Sequence, residues 1–332
     1  MKRILEGVRG GQFAPVYLLH GEESFFIDVL AEAVEHNTLA PEERDFNQTI
    51  LYGRDVDHAL VIDACKRYPM MAERQLVVVR ELQTWRIDEI EKLVPYLLKP
   101  TPTTVLLLVH RHKKVDGRRS VIKSVQKGGG TVFVSEKVRE DKVPDFLVKI
   151  AKKQKRKLAG REAQLLADHL GSDLAKAVKE VEKLCLVTEE NGAIDADAIQ
   201  RFVGISKDHN VFELQQAIGT RDALRAQRIA QYFAASPKDH PIEMTMGFLN
   251  GYFTKLAIAV QMKDAGQQAL AEAMKVSPFF VRDYQAHARN YNLSQVVKAQ
   301  HLLRQCDMRV KGLGGDGDRG EVLRELLARV ME

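Results

Sequence analysis

The residues best placed for chemistry follow the first apolar run of the sequence, where a nucleotide-binding loop would lie. A phosphate loop needs glycines that let backbone N–H groups approach the phosphates, a lysine for their charge and a hydroxyl for Mg²⁺. The turn here consists of Gly21, Glu22, Glu23 and Ser24. It is short and lacks the lysine, and its two carboxylates would repel a triphosphate bound there. The sequence therefore predicts a degenerate nucleotide loop that does not bind ATP.

Other positions that an ATPase or a metal enzyme would use carry unsuitable side chains. The third predicted strand is followed by Arg80 and Glu81, so a cation stands where a metal-binding carboxylate belongs. His110 and His112 have no cysteine or carboxylate nearby to complete a metal site. Residues 312–317 match the glycine spacing of a dinucleotide-binding turn, but a predicted helix precedes them, so we interpret them as a flexible connection between helices. No catalytic residue, cofactor or metal is predicted.

The elements that would position these turns begin as an alternation of strands and helices. Continuous apolar runs such as residues 76–79 and 105–109 lack period-two alternation. Such runs are typical of strands covered on both faces, which predicts a parallel sheet of five strands. The strands are expected at residues 16–20, 49–52, 76–79, 104–109 and 131–134, with helices at 24–36, 56–67, 88–98 and 118–127.

Strand signals vanish after about residue 136 and helical patterns take over. Short patterns punctuated by glycines run to about residue 204, and longer ones follow. The longer helices are expected at residues 211–218, 223–234, 242–263, 278–288, 294–310 and 321–330. The predicted fold class is α/β plus all-α, with an α/β domain at residues 1–137, a small helical domain at 138–207 and a larger helical domain at 208–332.

Composition sets broad limits on location and partners. The chain has 332 residues and a net charge of +5, which permits nucleic acid as a neighbour without requiring it. No apolar run approaches the roughly 20 residues that span a membrane, and the N-terminus lacks signal-peptide features. The three cysteines are far apart, as is usual in a reducing compartment. A cytoplasmic protein is expected.

Four segments in order along the chain carry a family pattern. They are PVYLLHGEE at residues 15–23, MMAERQLVVV at 70–79, GSDL with EVEKL at 171–174 and 180–184, and VFELQQAI at 211–218. Together they resemble the delta subunit of the bacterial DNA polymerase III clamp loader over essentially the whole chain. The resemblance implies an AAA+-like domain without ATPase activity, a small helical lid domain and a C-terminal collar domain for oligomerisation.

The resemblance also implies a role in chromosomal replication. Such a subunit binds the ring-shaped sliding clamp, the beta subunit, and helps to open it for loading onto primed DNA. It belongs to the polymerase holoenzyme, in which another subunit transfers nucleotides, and it does not hydrolyse ATP itself. Its collar contacts the ATPase subunits and delta prime. Those relatives carry zinc-binding cysteines, and an intact phosphate loop or a Ser-Arg-Cys motif, none of which this sequence has.

The resemblance places the clamp contact just before the third strand. The residues expected to form it are Tyr68, Pro69, Met70, Met71, Arg74 and Gln75. The family's pair of bulky apolar side chains, which enters a hydrophobic pocket of the clamp, corresponds to Met70 and Met71, flexible side chains that give up a rigid aromatic anchor. The neighbouring residues would stiffen and orient the approach. The alternative is that both methionines fill the edge of the α/β core.

Basic residues raise the question of DNA contact. One candidate cluster follows the fourth strand and includes Lys113, Lys114, Arg118 and Arg119, and a second spans residues 152–157. Phosphate contacts there would give salt-dependent, sequence-independent binding, and the alternative is two solvated helix faces. Two further functions stay open: an active AAA+ ATPase with an atypical loop, and a free-standing DNA-binding protein.

Overall fold

A computed structural model of the chain describes residues 1–170, 173–206, 209–312 and 319–332. The described chain divides into two compact units, Met1–Val138 and Arg139–Glu332. The predicted boundary between residues 207 and 208 lies outside the described residues. So do residues 171 and 172 of the second family segment and residues 313–317 of the glycine-rich connection. The division of the second unit into lid and collar domains stays a prediction.

The first unit is built on a parallel sheet with the strand order β2-β3-β4-β1-β5. Its strands are β1 (Val16–Gly21), β2 (Gln48–Tyr52), β3 (Gln75–Arg80), β4 (Thr104–His110) and β5 (Thr131–Ser135). Its α-helices are α1 (Lys2–Arg9), α2 (Ser24–Thr38), α3 (Arg44–Asn47), α4 (His58–Cys65), α5 (Ile87–Glu91), α6 (Val94–Leu98) and α7 (Ser120–Lys127). The prediction of five parallel strands is confirmed.

Strand β3 explains why the apolar runs lack alternation. Val77 and Val79 belong to the core on one face of the sheet, while Leu76 and Val78 belong to the core on the other face. Because consecutive side chains of a strand point to opposite faces, a strand covered on both sides must be apolar throughout.

Two predicted helices of this unit differ from those found. The helix expected at residues 88–98 is broken into α5 and α6, and Pro95 lies in the first turn of α6, where its missing N–H leaves no bond unmade. The helix expected at 56–67 begins after Asp57, whose side chain accepts a hydrogen bond of 3.0 Å from the Leu60 amide. The pattern had not predicted α1 and α3.

The second unit is mainly helical. Its α-helices are α8 (Val143–Lys153), α9 (Gly160–Leu170), α10 (Leu174–Val187), α11 (Ala196–Val203), α12 (Val211–Gly219), α13 (Ala223–Ala235), α14 (Ile242–Gln261), α15 (Gln267–Met274), α16 (Pro278–Ala288), α17 (Leu293–Val310) and α18 (Arg319–Met331). Helices α12 to α18 share one apolar core, in which Tyr252 and Phe253 are fully buried. Among the described helices, none is long and apolar enough to cross a membrane.

Two features of this unit correct the sequence-based expectation. Strands β6 (Lys157–Leu158) and β7 (Ala193–Ile194) form a short parallel pair, so the prediction that strands cease after residue 136 is wrong at this point. Two residues are too few to leave a periodic signal. Helix α15 was also missed, because its eight residues carry only three buried side chains.

Candidate protein-binding site

The segment between α4 and β3 presents apolar side chains to solvent. Met71 is fully exposed, Met70 is 61% exposed and Tyr68 is 86% exposed. The alternative that both methionines fill the edge of the core is therefore wrong. Single exposed apolar residues are ordinary on a protein surface, whereas a contiguous group marks an interaction site.

Asn47, at the end of α3, holds this segment in place. Its Oδ1 accepts a hydrogen bond of 2.6 Å from the Met70 amide, and its Nδ2 donates one of 2.9 Å to the Met70 carbonyl. The same Nδ2 donates to the Glu43 carbonyl at 3.1 Å. Asn47 is buried, so water does not compete well for these bonds. Asn47 lies 23 positions from Met70 in the chain, so no local sequence pattern connects the two residues.

Gln75 anchors the other end of the segment. Its Nε2 donates hydrogen bonds to the Arg67 carbonyl at 2.6 Å and to Thr104 Oγ1 at 2.9 Å. The side chain is buried at the start of β3 and offers a partner almost no surface. The prediction that Gln75 itself forms part of the contact is thus corrected. Its buried side chain supports the segment through hydrogen bonds.

Arg74 and Met71 shape the segment between these anchors. The Arg74 guanidinium lies over the Phe13 ring, 5.0 Å from its centroid, and 3.3 Å from a Glu73 carboxylate oxygen. Pro69 is half-buried. Met71 has φ +53°, in the left-handed region that costs a residue with a Cβ roughly 1 kcal/mol. An exposed side chain held in an unfavourable backbone conformation suggests a functional constraint.

The predicted nucleotide loop is joined to the neighbouring strand β5. A Cβ on Gly21 would lie 2.0 Å from the Ser135 carbonyl oxygen, so only glycine fits. The Glu22 amide donates to that carbonyl at 2.8 Å, and Ser135 Oγ donates to the Glu23 carbonyl at 2.6 Å. The first of these bonds uses a backbone N–H, the kind of group that a phosphate loop would turn toward its ligand.

Carboxylates and cations near this turn pair with one another. The Glu23 carboxylate accepts from the Phe25 amide at 3.3 Å and so lies at the N-terminus of α2, where an anion would bind. Arg80 ends β3, and its guanidinium donates to both carboxylate oxygens of Glu35 at 2.8 and 3.0 Å. Ser24 Oγ lies 3.2 Å from the Nδ1 of His112.

The histidines considered as metal ligands do not converge. His110 is buried and its Nδ1 donates to the Lys113 carbonyl at 3.1 Å, whereas His112 is exposed. His20 in β1 lies beside His110, and its side chain accepts a hydrogen bond of 3.0 Å from the Val115 amide. Burial, together with the charges of His110 and Lys114, lowers the pKa of His20 to about 4. Among the described residues, no three His, Cys, Asp or Glu side chains are grouped to hold a metal.

Two parts of the chain match models of one protein family. The family model of the DNA polymerase III delta subunit matches residues 17–137, and the model of the delta subunit's C-terminal domain matches residues 208–323. The chain belongs to the DNA polymerase III delta subunit family.

Individual relatives agree with this assignment. DNA polymerase III subunit delta of Bacillus subtilis (strain 168) is 24% identical over 299 residues, which span 87% of this chain and 85% of that protein. The solved structure of the Bacillus subtilis DNA clamp loader delta protein (YqeN) matches with a TM-score of 0.55 at 22% identity, over 99% of both chains. This delta-family chain therefore shares that fold, and the predicted fold class of a five-stranded parallel α/β sheet followed by helices is confirmed.

The basic residues proposed to face DNA lie beside carboxylates in this family member. The Lys114 amine is 3.9 Å from Glu22 and 3.4 Å from Glu136. The Arg118 guanidinium is 2.8 Å from Asp116, and that contact lowers the Asp116 pKa to about 2. Arg119 lies 3.9 Å from Glu91, and Lys113 is exposed. Three of the four candidates therefore have local counter-charges, which weakens the positive field that DNA would feel.

Proposed function

We propose that this delta subunit binds the sliding clamp through Met70 and Met71 and helps to open the ring for loading onto primed DNA. The observation that carries the proposal is that both methionine side chains are exposed on a segment whose backbone is fixed by Asn47 and Gln75. A fixed segment loses little conformational entropy on binding, so more of the contact energy appears as affinity.

The chemistry of the segment suits an apolar pocket. Burying a methionine side chain contributes about 1.5–3 kcal/mol, and its flexible thioether adapts to an irregular cavity. Lys66, Arg67 and Glu73 are exposed around the methionines, which gives the apolar centre the polar rim that is usual at interfaces. Opening the ring further requires that the chain bind an open clamp more tightly than a closed one, because a ligand shifts an equilibrium only by its differential affinity.

The subunit acts as an accessory without hydrolysing ATP. The Glu23 carboxylate lies at the N-terminus of α2, the Glu22 amide is bonded to Ser135, and Arg80 stands where a metal-binding acid is needed. ATP hydrolysis then belongs to neighbouring clamp-loader subunits, and nucleotide transfer to the polymerase subunit of the holoenzyme.

Contacts with the ATPase subunits and delta prime are proposed for the collar, residues 208–332. Helix α17 presents Leu293, Val297 and Met308 to solvent. At 100° per residue these positions fall on one side of the helix, together with the exposed Arg304 between them. A face that combines exposed apolar side chains with an arginine suits contact with another subunit.

A binding titration on a biosensor tests the clamp contact. The full chain is measured against the sliding clamp of its own organism, and Met70→Ala/Met71→Ala is expected to weaken binding more than 100-fold, or about 3 kcal/mol. Leu186→Ala/Val187→Ala is the matched control, because these residues are also an adjacent, exposed apolar pair, at the end of α10. An unchanged affinity in the methionine variant would place the contact elsewhere.

ATP binding is tested separately by calorimetric titration of the isolated chain with Mg-ATP. No binding is expected at millimolar nucleotide. A saturable isotherm would instead favour the active ATPase with an atypical loop.

A further inference from the structure

Phe46 is an exposed aromatic residue beside the methionine segment. It lies in the four-residue helix α3 and is 70% exposed. The next residue, Asn47, points inward and is buried. An aromatic ring that is exposed on a short helix contributes little to the core. Its role therefore depends on the residues that lie around it.

The Asn47 hydrogen bonds place Phe46 at the border of the methionine segment. Because the Asn47 side chain bonds both backbone polar groups of Met70, at 2.6 and 2.9 Å, the chain at residues 46 and 47 runs alongside Met70. Phe46, Tyr68, Met70 and Met71, here called the apolar patch, are each more than 60% exposed. The patch draws on two chain segments that lie more than twenty residues apart and are linked by the Asn47 hydrogen bonds to Met70.

The composition of the patch resembles the centre of a protein interface. Aromatic residues and methionine are enriched at such centres, and rigid aromatic side chains are frequent anchors of binding energy. The methionine pair alone supplies no such anchor. Phe46 has only two rotatable side-chain bonds, so fixing it on binding loses less entropy than fixing a methionine.

We infer that Phe46 is part of the surface that engages the sliding clamp and serves as its aromatic anchor, held in register with Met70 by Asn47. The inference rests on the proposed function, because the sliding clamp is the partner that would cover the apolar patch. The clamp is the partner inferred because the patch is continuous with the proposed methionine contact. The clamp surface must then offer an apolar depression next to the pocket that takes the methionines.

The test is a biosensor titration of full-length variants against the sliding clamp of the same organism. Phe46→Ala is expected to weaken binding about tenfold, the scale of one anchor residue. Phe46→Leu keeps most of the apolar area and is expected to stay within about threefold of wild type. Phe279→Ala is the matched control, since Phe279 is a phenylalanine that is 59% exposed in the second unit.

Each outcome decides one proposition. If Phe46→Ala binds like wild type and Phe279→Ala, while Met70→Ala/Met71→Ala does not bind, the inference about Phe46 is overturned and the proposed function stands. If the wild-type chain does not bind the clamp, the proposed function fails and its extension fails with it. Thermal unfolding of Phe46→Ala should match wild type, because the side chain is exposed, and a large shift would assign Phe46 to the fold instead.

Discussion

The two ends of the parallel sheet in the first unit use their hydrogen bonds for opposite purposes. At the carboxyl ends of the strands, the turn after β1 directs its polar groups inward, to Ser135 and to the start of α2. At the amino end of β3, Asn47 and Gln75 fix a segment so that its apolar side chains face solvent. Ligands of open α/β sheets usually bind at the carboxyl ends. One sheet can thus use the polar groups at one end for bonds within the fold while the segment at its other end presents apolar side chains to solvent.

Acid should weaken the carboxyl end first. The pKa of His20 is lowered to about 4 in the folded chain, so its contribution to stability is fully present above pH 6.5 and is lost as pH falls toward 4. The expected loss of unfolding free energy is about 3 kcal/mol at most over this window. Urea unfolding followed by fluorescence of Trp85, the chain's single tryptophan and part of the first unit, measures it.

A variant without the imidazole provides the control for this measurement. His20→Gln should show a flatter dependence of unfolding free energy on pH than wild type. Equal slopes in the two proteins would assign the acid sensitivity to other groups, beginning with the buried His110, whose pKa burial also lowers.

Removing one hydrogen-bonding side chain from each end separates stability from binding. Asn47→Ala leaves both backbone polar groups of Met70 without this partner and should lower the unfolding free energy by about 1–3 kcal/mol. Clamp affinity should fall about tenfold although both methionines remain, because the segment must then be ordered on binding.

Ser135→Ala should lower the unfolding free energy by about 1 kcal/mol and leave clamp affinity unchanged. Trp85 fluorescence measures the unfolding free energy, and the clamp titration measures the affinity. Equal losses of affinity in both variants would show that the two ends of the sheet do not differ in their effect on clamp binding.

The smallest change in stability is expected at Met71, where a substitution should raise the unfolding free energy slightly and lower clamp affinity. Met71→Gly relieves the left-handed backbone at φ +53° but adds freedom to the unfolded chain, so the net stabilisation should be about 0.5 kcal/mol. Clamp affinity should nevertheless fall about tenfold, since one buried side chain is lost. A variant that loses both stability and affinity would show that Met71 supports the fold.

Sequence patterns predicted the three central strands β1, β3 and β4 well because these strands are buried on both faces. The ends of β1 and β4 each lie one residue beyond the predicted ones, at Gly21 and His110, because the residues there no longer continue the aliphatic run. A helix was predicted over residues 88–98, and its break at residues 92–93 was missed because the apolar pattern continues through the break. The strand pair β6 and β7 was missed because each strand has two residues.

The candidate site was predictable only in part. The position of Met70 and Met71 came from the family resemblance, and their exposure came from the structure. Asn47 could not be assigned from sequence, because its bonds to Met70 depend on how α3 lies beside the segment before β3. Phe46 joins the methionines through that same tertiary contact, and no local pattern marks it.

The contact between Gly21 and β5 limits what substitutions in the turn after β1 could achieve. Any side chain at position 21 would collide with the Ser135 carbonyl, and a lysine introduced at position 22 or 23 would still find the neighbouring amide bonded to that carbonyl. A working phosphate cradle would need inserted residues, a displaced β5 and a new anion site at α2 at the same time. Exchanging single side chains in this turn therefore leaves its backbone N–H groups bonded within the fold and does not create a phosphate site.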